Sequence, residues 1–372
     1  MRQIRMFACF AVVALLINSQ PAFAVLPLPK PREDVTKLTK PTVCYITEDG
    51  YELGLIDWDG KNDRIWMGDG KARFSGSAYW SPDGKRAAVV VYDGADRSYT
   101  PYVLNLETGD TQNLLEWLPE GVGDYVYPSW SPDGNWVAIV DTWRITNLIL
   151  AANIFKVNIH SGASVQLTDF PRRNPAYGIP SWSPDGKKIA FGALEEPHLV
   201  EEAVRNNEVY VMDADGSNMV NISNHPKGDS YPVWSPDGRK IVFLSYRKFP
   251  SPKAWELYLM NPDGSNVERL SYNTHFEIGV DWSPDSKWIV YFGFSRDPND
   301  PAPEGIYRMH VATGKATFIK RGVDSPTWVL AGKSRFLSVD PADKKKAQWG
   351  KIKAAGGNEN SPPPQESSSE EK

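Results

Sequence analysis

The sequence predicts an all-β fold: a six-bladed β-propeller of four-stranded antiparallel blades, closed by strands from the N- and C-terminal ends. Three observations predict it. First, the phrase Trp-Ser-Pro-Asp-Gly, or a near-copy, returns at Trp80, Trp130, Trp182, Trp234 and Trp282, spaced by 50, 52, 52 and 48 residues, with a degraded sixth copy 46 residues later at Trp328. Self-similarity at this period marks an array of supersecondary units. Second, each unit reads as four short strand-like runs split by turn residues, with helical periodicity confined to a turn or two within residues 197–205. Third, the array is half finished at both ends, and the two halves complement each other.

The first 24 residues read as a secretory leader. Arg2 and Arg5 start it, an apolar core runs from Met6 to Ile17, and Ala22-Phe23-Ala24 supplies a small-residue cleavage site after Ala24. That apolar run is too short to span a bilayer, so no transmembrane anchor is expected and the mature chain is expected in the periplasm or outside the cell. Residues 25–41 form a Pro- and charge-bearing lead-in. The propeller is expected over residues 42–339.

The chain enters the propeller with Thr42 to Thr47, a surplus strand candidate. Next come Tyr51 to Asp57, the turn Asp57-Trp58-Asp59-Gly60 and Arg64 to Met67, which match the third and fourth strands of a unit. The sixth Trp copy, Pro326-Thr327-Trp328, is followed by a single run, Arg335 to Val339. Joining the two ends completes a sixth blade and removes the exposed edges of an open array. Either Thr42 to Thr47 or Arg335 to Val339 can take its second-strand place.

Within a full unit, a short run such as Tyr127-Pro128-Ser129 leads into the Trp, which is large enough to fill the space between adjacent sheets. In the turn, Pro82 presets φ for the first central position, Asp83 suits the second, and Gly84 supplies a positive φ. Ser286 replaces that Gly in the fifth copy, which predicts about 1 kcal/mol of strain or a different turn shape. Ile241 to Leu244 exemplify the second strand, Glu208 to Asp213 the third, and Met219 to Ser223 the fourth. Asp213-Ala214-Asp215-Gly216-Ser217-Asn218 resembles the start of a calcium loop. Its counterparts at 261–264, 107–109, 160–162 and 312–314 keep the Gly but not the alternating pair of carboxylates, so a plain hairpin turn is expected. Residues 340–372, with Lys344-Lys345-Lys346, Pro362-Pro363-Pro364 and a Ser/Glu end, are expected to be a disordered tail.

Composition narrows the function classes. The formal net charge is -5, and the first 24 residues carry only Arg2 and Arg5, so a chain without them carries -7. Nothing in this balance points to nucleic acid. Cys9 lies in the leader, which leaves Cys44 alone in the mature chain with no disulfide partner. Its alternating, strand-like surroundings suit a small buried hydrophobe.

Trp182-Ser-Pro-Asp-Gly with Lys187-Lys-Ile-Ala-Phe191, followed by Val209-Tyr-Val-Met-Asp-Ala-Asp-Gly-Ser-Asn218, resembles the repeat of the TolB-like (WD40-like) β-propeller family. The resemblance covers about Thr42 to Val339. It implies the propeller fold; TolB itself is a periplasmic protein of the Tol-Pal envelope system. TolB carries an α/β domain ahead of its propeller; about 17 residues separate the expected cleavage from Thr42, so that domain is not expected here. Similar propellers precede the hydrolase domain of prolyl oligopeptidases and dipeptidyl peptidases. No Gly-x-Ser-x-Gly elbow is present, which argues against that class.

In such a blade the turns between strands one and two and between three and four share one face, and the remaining loops emerge on the other. That second face carries the irregular segments, and length variation on one face of an array points to the binding surface. The candidate contacts there are Trp143, Arg144, Arg172, Arg173, Tyr177, Arg247, Lys248, Trp255 and Arg296, aromatic and cationic groups of the kind enriched at interface hot spots. Glu195, Glu196, Glu201 and Glu202 supply an acidic counterpatch.

The expected function is a non-catalytic scaffold that binds a protein or an envelope polymer through this face and the central funnel, with no cofactor. The alternative is a glycan- or small-molecule-active enzyme, a lyase or hydrolase. His198, His225 and His275 fall on the same face in successive blades, and three imidazoles could hold a metal as in the similar oligogalacturonate lyases. His225 follows Ser223 by two residues and His275 follows Ser271 by four, so they do not share one repeated position, and surface histidines with no bound metal are expected.

Overall fold

The computed structural model describes residues 28–93, 98–119, 126–145, 148–170, 176–194, 207–247, 255–271, 276–294 and 303–330. Six antiparallel sheets form the six blades. Blade 1 comprises Arg73–Phe74 with Tyr79–Trp80, then Arg86–Asp93, Ser98–Asn105 and Thr111–Asn113. Blade 2 comprises Val126–Trp130, Trp136–Ile145, Leu148–Asn158 and Ser164–Gln166. Blade 3 has Ala176–Trp182, Lys188–Leu194, Asn207–Asp213 and Val220–Asn221. Blade 4 has Asp229–Trp234, Ile241–Ser245, Glu256–Met260 and Glu268–Arg269. Blade 5 has Phe276–Trp282, Trp288–Phe294, Gly305–His310 and Lys315–Arg321.

Blade 6 closes the ring. Its first strand is Val323–Trp328, and Thr42–Thr47, Glu52–Asp57 and Arg64–Gly68 follow outward. Thr42–Thr47 therefore takes the second-strand place, pairing Val43 with Trp328 on one side and with Ile56 on the other. Arg335 to Val339 lies outside the described residues, as do the leader and the tail. The lead-in packs from Leu28 onward: Arg32 N–H donates to the Trp66 carbonyl, Arg64 pairs with Glu33, and Val35 in a 3-10 turn is 1% exposed. Val35, with Leu28 and Leu38 beside it, anchors that charged stretch on the core shared by blades 6 and 1.

The first strands of successive blades meet around the axis. Trp130 Nε1 donates to the Tyr79 carbonyl, Trp234 N–H to Ser181 Oγ, Trp282 Nε1 to the Val233 carbonyl and Trp328 N–H to Asp281. Thr327 Oγ1 then donates to the Ala78 carbonyl, returning to blade 1. The repeated Trp thus crosses to the preceding blade, as its size predicts. The apolar interior divides into six clusters, each built from two neighbouring blades. No single element closes a core by itself, so the ring is needed for stability.

The repeated turn is built as its residues predict. Ser131 Oγ donates to Asp133 Oδ1 and accepts from Trp136 N–H, while Gly134 N–H closes onto the Ser131 carbonyl. Ser81, Ser183, Ser235 and Ser283 repeat the hydroxyl-to-Asp bond. Ser286 keeps the turn shape with φ 59, and its hydroxyl accepts from the N–H of Asp237 in the preceding turn. Asp213 to Asn218 is a hairpin turn in which Asp215 accepts from Ser217 and Asp213 from Asn218.

Candidate functional site

On the irregular face, the outer corners of blades 2, 3 and 4 are organised by a hydroxyl just after the fourth strand. Thr168 Oγ1 accepts the N–H of Ile154, Ser223 Oγ that of Val209, and Ser271 Oγ that of Leu257. These third-strand N–H groups lie just past the end of the short fourth strand, where the ladder would leave them bare. Buried acids complete the corners: Glu208 accepts from Ser223 Oγ and from His225 N–H, and Glu277 accepts from Ser271 Oγ and Leu257 N–H. Both glutamates are fully buried.

Nearer the axis, Arg247 follows the second strand of blade 4 and Asp229 opens its first. The guanidinium donates through Nε and Nη2 to the Asp229 carboxylate, at 2.7 Å for the shortest bond, and through Nη2 to the Ser223 carbonyl of blade 3. It also lies 5.5 Å from the centre of the Phe243 ring. Asp229 is fully buried and the Arg247 side chain is 13% exposed, so this pair clamps two blades together. Beside it, Glu256 pairs with Arg269 across the same blade.

An aromatic wall stands next to the clamp. The rings of Tyr246 and Trp255 are 3.9 Å apart, and Tyr231 meets Trp255 edge-on at 6.4 Å. All three are half-buried. Tyr231 has φ 54 inside a bulge of the inner strand, between Ser230 and Val233. Gly279 and Ser325 hold the same place in blades 5 and 6 with φ 61 and 48. Bulges re-aim side chains, and a left-handed Tyr is uncommon enough to mark a special position.

The innermost strands carry tyrosines and carboxylates. Burial raises the Tyr79 phenol pKa, with further contributions from Tyr127, Asp281, Asp324 and Tyr231, which come from blades 2, 5, 6 and 4. All five stand on the innermost strands of their blades, which surround the axis. Burial pushes Asp281 up to about 7 against the pull of two backbone N–H groups, those of Trp328 and Trp282. Burial raises Asp324 as well.

Of the residues singled out from the sequence, the structure brings Arg247 and Trp255 together with Tyr246 and Tyr231. His225 is near the adjoining corner, its Nδ1 accepting from Lys227 N–H at 3.2 Å. Trp143 and Arg144 lie in the second strand of blade 2, paired with Ala151 and Ile149, and Tyr177 in the first strand of blade 3, paired with Gly192. Arg172, Arg173, His198, Lys248, His275 and Arg296 lie outside the described residues, as do Glu195, Glu196, Glu201 and Glu202. Among the described residues, no three His, Cys, Asp or Glu side chains come together to hold a metal ion, and no helix is long and apolar enough to cross a membrane. The channel residues Tyr79, Tyr231, Asp281 and Asp324 were missed because attention to variable loops passes over the strands beneath them. Their signal was the run just ahead of each repeated Trp.

A closed ring of six antiparallel blades defines the class as a six-bladed β-propeller. The chain belongs to the TolB beta propeller domain family, which matches residues 151–353. An uncharacterized protein of Agrobacterium fabrum, Atu1656, is 29% identical over 169 residues, which are 45% of this chain and 49% of that protein. The match thus spans about half the length of that relative. Among solved structures, TolB from Acinetobacter baumannii superposes with a TM-score of 0.58 at 18% identity, over 78% of this chain and 66% of that one. A putative TolB from Agrobacterium tumefaciens gives 0.55 at 21%, over 77% and 91%. An oligogalacturonate lyase in complex with manganese gives 0.51 at 15%, over 74% and 72%. At these identities the likeness concerns the fold, and one fold hosts many functions.

Proposed function

We propose that the chain is an exported, periplasmic, non-catalytic scaffold that binds a protein through its irregular face and channel. The observation that carries this reading is the half-buried wall of Tyr231, Tyr246 and Trp255 beside the Arg247–Asp229 clamp. Tyr and Trp present large apolar area at low entropy cost, and aromatic clusters of this kind dominate binding energy at protein interfaces. The clamp itself is spent on holding blades 3 and 4, so it supports the wall and does not reach for the partner. Export rests on the leader read from Arg2 to Ala24.

The test is a photo-cross-linking side chain placed at Tyr246, compared with one at Thr108 on the opposite face, in envelope extracts of the source cell. Capture of one protein from position 246, lost when Trp255→Ala is added and absent from position 108, is the expected result. Equal capture from both positions, or none from position 246, refutes the reading. Consumption of an added oligosaccharide by the purified chain would favour the enzymatic alternative.

A further inference from the structure

Two clefts open on the turn face, opposite the aromatic wall, on either side of blade 2. The larger, about 450 Å³, lies between blades 2 and 3; its sides are two successive repeat turns, and Trp136, Lys156 and Trp182 stand between them. The smaller, about 200 Å³, lies between blades 1 and 2. It includes Arg86 and Val103, which hold in blade 1 the places of Trp136 and Lys156 in blade 2.

Lys156 is out of character for its position. The corresponding third-strand place is Val103, Val211 and Leu259 in blades 1, 3 and 4, all buried, and only blade 5 also carries a cation, Arg308. Arg308 is covered: its guanidinium stacks 4.1 Å from the Trp58 ring of the next blade and donates to the Trp58 carbonyl. Lys156 makes the same bond, Nζ to the Ala214 carbonyl at 2.7 Å, and lies 5.0 Å from the Trp136 ring centre. Ala214, however, stands where Trp58 stands in the other pair. A methyl group in place of an indole leaves the ammonium uncovered at the cleft.

The acceptors are set opposite. Asp133 and Asp185 line the two sides. Asp185 spends Oδ1 on Ser183 Oγ and Lys187 N–H, and these bonds hold its carboxyl below the usual range, so it stays ionised. Burial depresses Lys156, with Asp215 acting against it. An anion entering here meets two carboxylates, and a cation meets an ammonium. A neutral molecule with many hydroxyls satisfies all three, since each hydroxyl both donates and accepts, and it offers C–H faces to indole. The volume is within the range of small-ligand sites.

We propose that the cleft between blades 2 and 3 is a carbohydrate site for a neutral oligosaccharide, with Lys156 donating to its hydroxyls, Asp133 and Asp185 accepting from them, and Trp136 against a ring face. The cleft on the far side of blade 2 gives a longer chain a second resting place. This site is independent of the protein-binding reading and lies on the other face.

The test titrates cellohexaose and the hexamer of N-acetylglucosamine into the full chain, following heat and indole fluorescence. At least one binds, with Kd of about 1 mM or tighter. Lys156→Met keeps the aliphatic stem, and Asp185→Asn keeps both bonds of the turn. Each weakens binding about tenfold or more, as loss of a charged hydrogen bond predicts, while Trp255→Ala leaves it unchanged. No binding of either hexamer, or binding indifferent to Lys156→Met and Asp185→Asn, overturns the proposal. Tripolyphosphate or a lysine-rich peptide binding instead, with the same variants abolishing it, would assign the cleft to a charged ligand and also overturn it.

Discussion

The N–H of Asp237 donates to the Oγ of Ser286 across 3.1 Å, tying the repeat turn of blade 4 to that of blade 5. Ser286 holds φ 59, where Gly84, Gly134, Gly186 and Gly238 hold 67 to 72. A left-handed residue with a Cβ costs about 1 kcal/mol, and a hydrogen bond returns a similar amount. Ser286→Gly, which removes strain and bond together, is therefore expected to shift stability by less than about 0.5 kcal/mol, whereas Ser286→Ala keeps the strain and loses the bond, costing about 1 kcal/mol. Urea unfolding of the three chains decides it. An Ala variant as stable as the parent would mean that the inter-turn bond contributes nothing.

Arg247 and Asp229 make a different kind of link, with the carboxylate fully buried. Removing one partner strands a charge, so Arg247→Met is expected to destabilise the ring by about 3–5 kcal/mol, and Asp229→Asn combined with it to recover much of that loss. Denaturant midpoints for both single variants and the double variant close the cycle. If the double variant is no more stable than Arg247→Met, the stranded-charge account fails.

The spacing of Trp80, Trp130, Trp182, Trp234, Trp282 and Trp328 was sufficient to read six blades, because each Trp packs in the core shared with the preceding blade. Which terminal strand fills blade 6 was not legible: Thr42–Thr47 and Arg335 to Val339 both read as strands, and only pairing to Trp328 chooses between them. Arg247 looked like a surface contact because its partner, 18 residues earlier, is a carboxylate like many others until the inner strand places it. Tyr231 carries no local sign of its left-handed backbone, whereas Gly279 in the same place does. Lys156 was invisible for a related reason. A strand lysine reads as solvent-facing, and only the register shows that Val103, Val211 and Leu259, in the same place of other blades, are core residues.

Cys44 is fully buried in the second strand of blade 6, and burial pushes its thiol up to about 11. The thiolate is the reactive form, so this group is protected by both access and protonation. A chain starting at Val25, with Cys44 its sole thiol, is expected to resist a maleimide under native conditions and to react fully in denaturing urea. Mass spectrometry over time reads the difference. Native labelling at the rate of a free thiol would show that blade 6 opens readily at Thr42–Thr47.

Asp281 links the channel to stability. Its carboxylate accepts from Trp282 N–H and Trp328 N–H at 2.8 Å each, which ties the inner strands of blades 5 and 6. Burial outweighs those two bonds and pushes the group up to about 7, from 3.8 as its ordinary value. The folded chain therefore holds this proton more tightly than the unfolded chain does. Its stabilising contribution is complete below the ordinary carboxylate value and is lost progressively as pH rises through about 7. Asp324, also raised by burial, acts in the same direction. The expected outcome is a Tm that falls between about pH 4 and pH 7 and levels off above, with Asp281→Asn flattening the fall because the amide oxygen still accepts a backbone N–H and never ionises. Thermal melts of parent and variant across that window test it. Parallel profiles would show that Asp281 titrates as an ordinary exposed carboxylate, and that the channel is open to bulk water along its length.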